Sequence, residues 1–158
     1  MIPILKYLWL TIKHKCFVFL AGLKTKTPLY LLIIHDWSKF TFAEAPHYGR
    51  QFFGTADDSL GFSNAWNHHQ KINKHHWEYW VMVSGHNRGG YLDGSALPMP
   101  EKYAREMVAD WMGASRAYEG KWPQSLETWG WFQNNFAKIN IHPETRVLIL
   151  KILQEVFR

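Results

Sequence analysis

Apolar residues Ile4, Leu5, Leu8, Trp9, Ile12, Cys16 and Phe19 recur at intervals of three and four, the repeat of one helical face. They predict a first helix from about Pro3 to Ala21, ending near Gly22. Thr27-Pro28 is a helix-start signature: a hydroxyl cap, then a proline whose fixed φ suits the first turn. A short, very apolar second helix is expected from Leu29 to Lys39, closing in the polar cluster His35-Asp36-Trp37-Ser38-Lys39. Phe42 to Tyr48 reads as a short helix or turn broken at Pro46, and Gly54 to Gly61 as loop. Ser63 would cap a third helix running to about Val83.

Ser84 to Pro100 holds four Gly and two Pro and reads as a long loop. Pro100 opens a fourth helix to about Tyr118. Ser125 to Ala137 looks helical, with Trp129, Phe132 and Phe136 on one side. Pro143 opens a last helix, whose Val147, Leu148, Leu150, Ile152, Leu153 and Val156 are apolar. No segment alternates as a strand does. The expected fold is all-α: one domain over residues 1–158, a bundle of about six helices. The stretch from Thr128 to Arg158 carries no evident chemistry and is assigned to packing.

Composition narrows the picture. A chain of 158 residues fits one domain, and 47% apolar with 16% aromatic residues excludes disorder and coiled coil. Cys16 is the one cysteine, so a disulfide framework and a cysteine-rich zinc site are excluded. An unpaired thiol fits a reducing compartment, and a cytoplasmic location is the expectation. The net charge of +5 is scattered, with no arginine-rich stripe. That suits a small anionic substrate at least as well as nucleic acid, and no nucleic-acid motif is present. Lys6, Lys13, His14 and Lys15 interrupt the apolar N-terminal residues. No apolar run reaches the ~18–20 residues of a spanning helix, and no signal peptide is legible. A buried core helix is expected there, with peripheral membrane contact as the alternative. Exposed tryptophans would point to a homodimer.

The nine histidines change the picture most. The residues able to bind a borderline metal are, in chain order, His14, His35-Asp36, His68-His69, His75-His76 and Asp110. Singly, each has an ordinary reading. His35 closes an apolar helix, where the helix dipole favours it. Asp110 lies in the apolar stretch Met107-Val108-Ala109-Asp110-Trp111-Met112, where a carboxylate is costly to bury unless paired or metal-bound. His69 and His76 are seven apart and share a face if the helix is continuous, with Asn73 between them. His68 and His75 do the same on the adjacent face. Trp66, Trp77, Tyr79 and Trp80 interleave with these residues, unlike a plain solvated surface.

In this order, and with the segments HDWSKF, AWNHHQKINKHHWEYW and MVADW, the chain resembles the HD-domain superfamily of metal-dependent phosphohydrolases. It resembles more closely an uncharacterised family of bacterial and phage proteins with a domain of unknown function. The resemblance spans roughly residues 5–120. It implies an all-α fold with His14, His35, Asp36 and Asp110 at a first metal. It implies Asp36 bridging to a second metal held by one histidine of each doublet, taken as His69 and His76. Many dinuclear members separate those two histidines further, so one ion or two both remain open. Mixed imidazole and carboxylate ligation suits Mn, Fe, Co, Ni or Zn.

Such a centre would activate water against a phosphate ester. Asp36 is the expected catalytic carboxylate, Lys39 the cation for phosphate oxygens, and Glu78 a general acid or base. His68, Asn73, His75 and Arg88 are the candidates to touch substrate, and Trp66, Trp77 and Trp80 could stack a base or sugar. The expected activity is metal-dependent hydrolysis of a nucleotide or another small phosphate ester. The alternatives are an HD-type di-iron oxygenase and a non-catalytic, metal-stabilised binding protein.

Overall fold

Pro3 stands in the first turn of helix α1 (Pro3–Lys24), whose side chains Tyr7, Thr11, His14, Val18 and Ala21 are buried along one side. The computed structural model describes residues 2–55, 57–82 and 94–158. Among them run α2 (Leu29–Ile34), α3 (Ala45–Phe53), α4 (Ser59–Ile72), α5 (Glu101–Ala114), α6 (Gly130–Asn135) and α7 (Pro143–Val156). Helices α3 and α5 pack directly on α1. No strand forms among the described residues, where a lone antiparallel bridge joins Val81 to Ala96. The all-α expectation holds, with seven α-helices described.

Helix α5 lies along α1 at very close range. A Cβ on Gly113 would stand 2.7 Å from the backbone nitrogen of Val18 and 2.9 Å from its Cα. Only a glycine lets the two backbones approach so nearly. Behind them, Val18, Met107, Val108 and Met112 join Ile149, Ile152 and Leu153 of α7 and Trp129, Phe132 and Phe136 in the larger core. A smaller core of Tyr7, Ala45, Tyr48 and Ala65 sits where α3 and α4 meet α1.

Several element boundaries differ from the sequence reading. Helix α2 stops at Ile34: His35 is extended, Asp36 is left-handed at φ 57°, and one 3-10 turn follows over Trp37–Phe40. Pro46 opens α3 rather than breaking it. Helix α4 starts at Ser59, ahead of Ser63, and ends at Ile72 because Asn73 is extended (φ −98°, ψ 108°). A separate 3-10 turn, Trp77–Trp80, follows. The continuous helix from Ser63 to Val83 does not exist, and the shared-face argument for His69 and His76 falls with it. The expected helix Ser125–Ala137 shrinks to α6 and a 3-10 turn over Phe136–Lys138. Helix α5 ends in a π-helical turn, Ser115–Glu119, before Gly120 at φ 76°. Most of the expected loop Ser84–Pro100 lies outside the described residues, as do Arg88 and His86.

Candidate metal centre

The centre forms where α1, α4 and α5 converge on the turn after α2. Helix α1 supplies His14. Its neighbour Lys15 donates from Nζ to the carbonyls of Ile33 (2.7 Å) and His35 (2.6 Å), which pins the end of α2. The chain then reverses through the left-handed Asp36 and turns its carboxylate inward. Asp tolerates this conformation better than most residues. Helix α5 contributes Glu106 and Asp110, four residues apart and so on one face. Helix α4 contributes His69. Asn73 Nδ2 donates to Ser38 Oγ (3.0 Å) and to the His69 carbonyl (2.9 Å), and after it the chain doubles back. That reversal brings His75 and His76 against His69, with ring centroids 6.2 and 4.7 Å from it.

The two oxygens of Asp36 face two different groups of histidines. Oδ2 lies 3.4 Å from His14 Nε2 and 3.5 Å from His35 Nε2. Asp110 Oδ1 completes this first group, 2.9 Å from His14 Nε2 and 3.4 Å from His35 Nε2. Oδ1 of Asp36 lies 3.3 Å from His69 Nε2 and 3.4 Å from His75 Nε2, and His76 belongs to this second group. Atoms each about 2.1 Å from one ion stand about 3.0–3.4 Å apart at octahedral or tetrahedral angles. The observed spacings are of that size. His14, His35, Asp36, His69 and His75 are at most 2% exposed.

Despite these short separations, the atoms are not hydrogen-bonded. Nε2 of His14, His35, His69, His75 and His76, and Oδ1 of Asp36, are all buried without a hydrogen-bond partner. An unpartnered buried polar atom costs about 1–3 kcal/mol. A cation shared among them removes that cost, so the donor set fits a metal ion on its own chemistry.

The opposite ring nitrogens of His35, His69 and His75 are held by carboxylates, whereas His14 Nδ1 has no partner. His35 Nδ1 and His75 Nδ1 lie 3.0 and 3.3 Å from the same oxygen, Glu106 Oε1. His69 Nδ1 and His68 Nδ1 each lie 2.9 Å from an oxygen of Glu44. Donation from Nδ1 to a carboxylate leaves Nε2 as the free ligand atom and fixes the ring's direction.

A family described as "Family of unknown function (DUF5662)" matches residues 4–155. The chain belongs to DUF5662. No curated protein and no solved structure gives a significant match.

The electrostatics of this DUF5662 centre favour ionised carboxylates. Burial alone would raise Asp36 and Asp110, but it is outweighed at both. The charges of His35 and Lys39 hold Asp36, and the imidazoles of His14 and His35 hold Asp110, well below the usual carboxylate range. Burial opposes the charge on His75, yet Asp36 and Glu106 overcome it and push the ring up to about 10. Burial and the charge of His75 take His76 down to about 4. Lys39 Nζ donates to Asp36 Oδ2 at 2.6 Å. Burial disfavours its charge too, but Asp36 holds it well above the ordinary lysine value.

A cavity of about 590 Å³ opens over the centre, its floor formed by His14, Lys39, His76 and Asp110. Aromatic residues, among them Tyr7, Tyr48, Phe52, Phe62, Trp66 and Tyr118, wall it. Tyr118, on the π-helical turn, stacks on His14 with its ring centroid 5.9 Å away. The hydroxyls of Tyr7 and Tyr48 are buried without partners, and burial pushes both well above the ordinary tyrosine value.

His14, His35, Asp36, His69, His76 and Asp110, the sequence-derived ligand candidates, thus stand in two adjoining groups. His75, read as a substrate contact, stands instead among the second group, because the break at Asn73 swings both histidines of its doublet inward. The other substrate candidates stand apart. His68 is partly exposed and is held by the buried Glu44, and Asn73 is spent on holding the end of α4. Glu78 sits behind His76, with Oε2 3.6 Å from Nδ1, and accepts from Gln70 rather than lining the cavity. Trp66 lines the cavity, but Trp77 and Trp80 pack against the larger core. Glu44, Glu106, Tyr7 and Tyr48 went unread. For Glu106 a signal existed in its four-residue spacing from Asp110; nothing local marks Glu44.

Proposed function

We propose that this DUF5662 protein is an HD-type metal-dependent phosphohydrolase acting on a nucleotide or another small phosphate ester. The observation that carries the reading is the split of Asp36 between two histidine groups beneath a cavity that also presents Lys39. His14, His35, Asp36 and Asp110 would hold one divalent ion, and Asp36, His69, His75 and His76 a second. Five imidazoles beside two carboxylates suit Mn, Fe, Co, Ni or Zn. Such an ion brings a bound water toward neutral pKa and offsets charge on a phosphoryl oxygen.

The protein's own groups supply the rest. Lys39 offers a fixed positive charge at the cavity floor for a non-bridging oxygen. Tyr7 and Tyr48 keep their protons and have hydroxyl donors free to meet the other oxygens. The aromatic walls exclude water and give a planar base or other apolar alcohol a surface to stack on.

The test is elemental analysis of untagged protein beside Asp36→Ala, followed by a phosphate-ester screen. We expect one or two equivalents of a transition metal, lost in the variant, and ester turnover lost with it. Protein that stays metal-free after reconstitution would sink the reading. Iron with oxygen uptake and no ester turnover would assign the centre to di-iron oxygen chemistry instead.

A further inference from the structure

The face of α1 turned away from the metal centre is apolar and open. Leu5, Trp9, Ile12, Phe19 and Leu23 are 37–58% exposed. They repeat at helical spacing and form a stripe about 27 Å long at 1.5 Å per residue. Helix α2 lies beside this stripe: Leu32 packs on Gly22, and Lys15 stands 5.9 Å from the centre of the Trp37 ring. There Tyr30, Ile33, Ile34 and Trp37 are 52–60% exposed. Monomeric soluble domains rarely leave so continuous an apolar face bare.

Charge decides what fits it. Residues 1–35 contain Lys6, Lys13, Lys15, Lys24 and Lys26 and no acidic residue. Lys6, Lys13 and Lys24 are exposed along one edge of the stripe and have no ion-pair partner among the described residues. Lys13 Nζ lies 5.2 Å from the centre of the Trp9 ring, so cation and aromatic stand together at the rim. A second copy on this face would set lysine against lysine. An anionic lipid surface meets the cations with headgroups and the stripe with acyl chains, and Trp and Tyr favour that boundary. No helix among the described residues is long and apolar enough to cross a membrane, so the contact lies in the plane of the surface.

We propose that the outer face of α1 and α2 docks this protein on anionic membranes, with the metal centre on the opposite side of α1. The test is co-sedimentation of the 158-residue chain with vesicles of phosphatidylcholine, with and without one-third phosphatidylserine. The expected result is pelleting with the anionic vesicles, little with the neutral ones, and release by salt. Two double variants, Trp9→Ser with Ile12→Ser and Lys6→Glu with Lys13→Glu, should each lower partitioning by about tenfold or more while keeping the native melting curve. All four residues are exposed, and the charge variant stands as an independent test should the apolar one fold poorly. Three results would overturn the proposal. They are no association with either vesicle, association that both variants leave unchanged, or a dimer in light scattering that Trp9→Ser with Ile12→Ser dissolves. The last would give the face to a second copy of the chain.

Discussion

Asp36 holds backbone angles that few non-glycine residues adopt, and its position explains why. A left-handed residue directly after an extended one turns His35 and Asp36 into the same space, although neighbours in an extended chain face opposite ways. The doublet alone had an ordinary reading, and its chemistry was legible only from the order of His14, His35-Asp36, the two histidine doublets and Asp110 along the chain. Its local conformation was not, because the carbonyl clamp from Lys15 comes from another helix. His75 gives the sharpest prediction at this scale. Its value of about 10, above an ordinary 6.5, means that the metal-free ring carries a proton at neutral pH. A metal must displace that proton, so uptake should release protons and apparent affinity should rise with pH up to about 10. Calorimetric titration in two buffers of different protonation heat measures the release directly. The linked stability runs the opposite way. The contribution of His75 to the metal-free fold is full below 6.5 and lost as pH rises through about 10, so chelator-treated protein should melt earlier in alkaline buffer.

At the scale of elements, the approach of α5 to α1 sets the distance between Asp110 and His14. Gly113 is one turn from Asp110, and Val18 one turn from His14. Gly113→Ala should therefore cost about 1–3 kcal/mol of stability, as overpacking does, read as a lower midpoint in chemical denaturation. It should also weaken metal binding by levering the two ligands apart. Close packing of this kind left no trace in the hydrophobic pattern, which shows that a residue is buried but not how near the next backbone lies. The end of α4 was hidden for a related reason. His68 to Trp80 keeps a helical look, but the side chain of Asn73 finds Ser38, distant in the chain, and that bond competes with another helical turn. The long helices α1, α5 and α7 were legible because proline openings and repeated apolar positions agree along their length. The short α6 was overestimated because its aromatic residues pack through turns as well as through helix.

Across the whole molecule, charged and polar groups occupy the middle of the fold, where apolar side chains usually sit. Folding has to bring Asp36, Glu44, Glu106 and three fully enclosed histidines out of water. Metal should therefore act as a folding ligand. At a free concentration of 100 times Kd, one ion adds about 2.7 kcal/mol, and chelation should lower Tm accordingly in a calorimetric scan. The shared grip of Glu106 carries this further. One carboxylate oxygen touches His35 of the first group and His75 of the second, so neither ring turns without the other feeling it. An ion that fixes His35 also sets the oxygen against which His75 is aligned, and by linkage the reverse holds equally. If both groups hold an ion, the two affinities should therefore depend on one another, read as a cobalt-absorbance loading curve that two independent sites do not fit. Glu106→Gln should weaken that dependence without abolishing it, because Asp36 still joins the two groups.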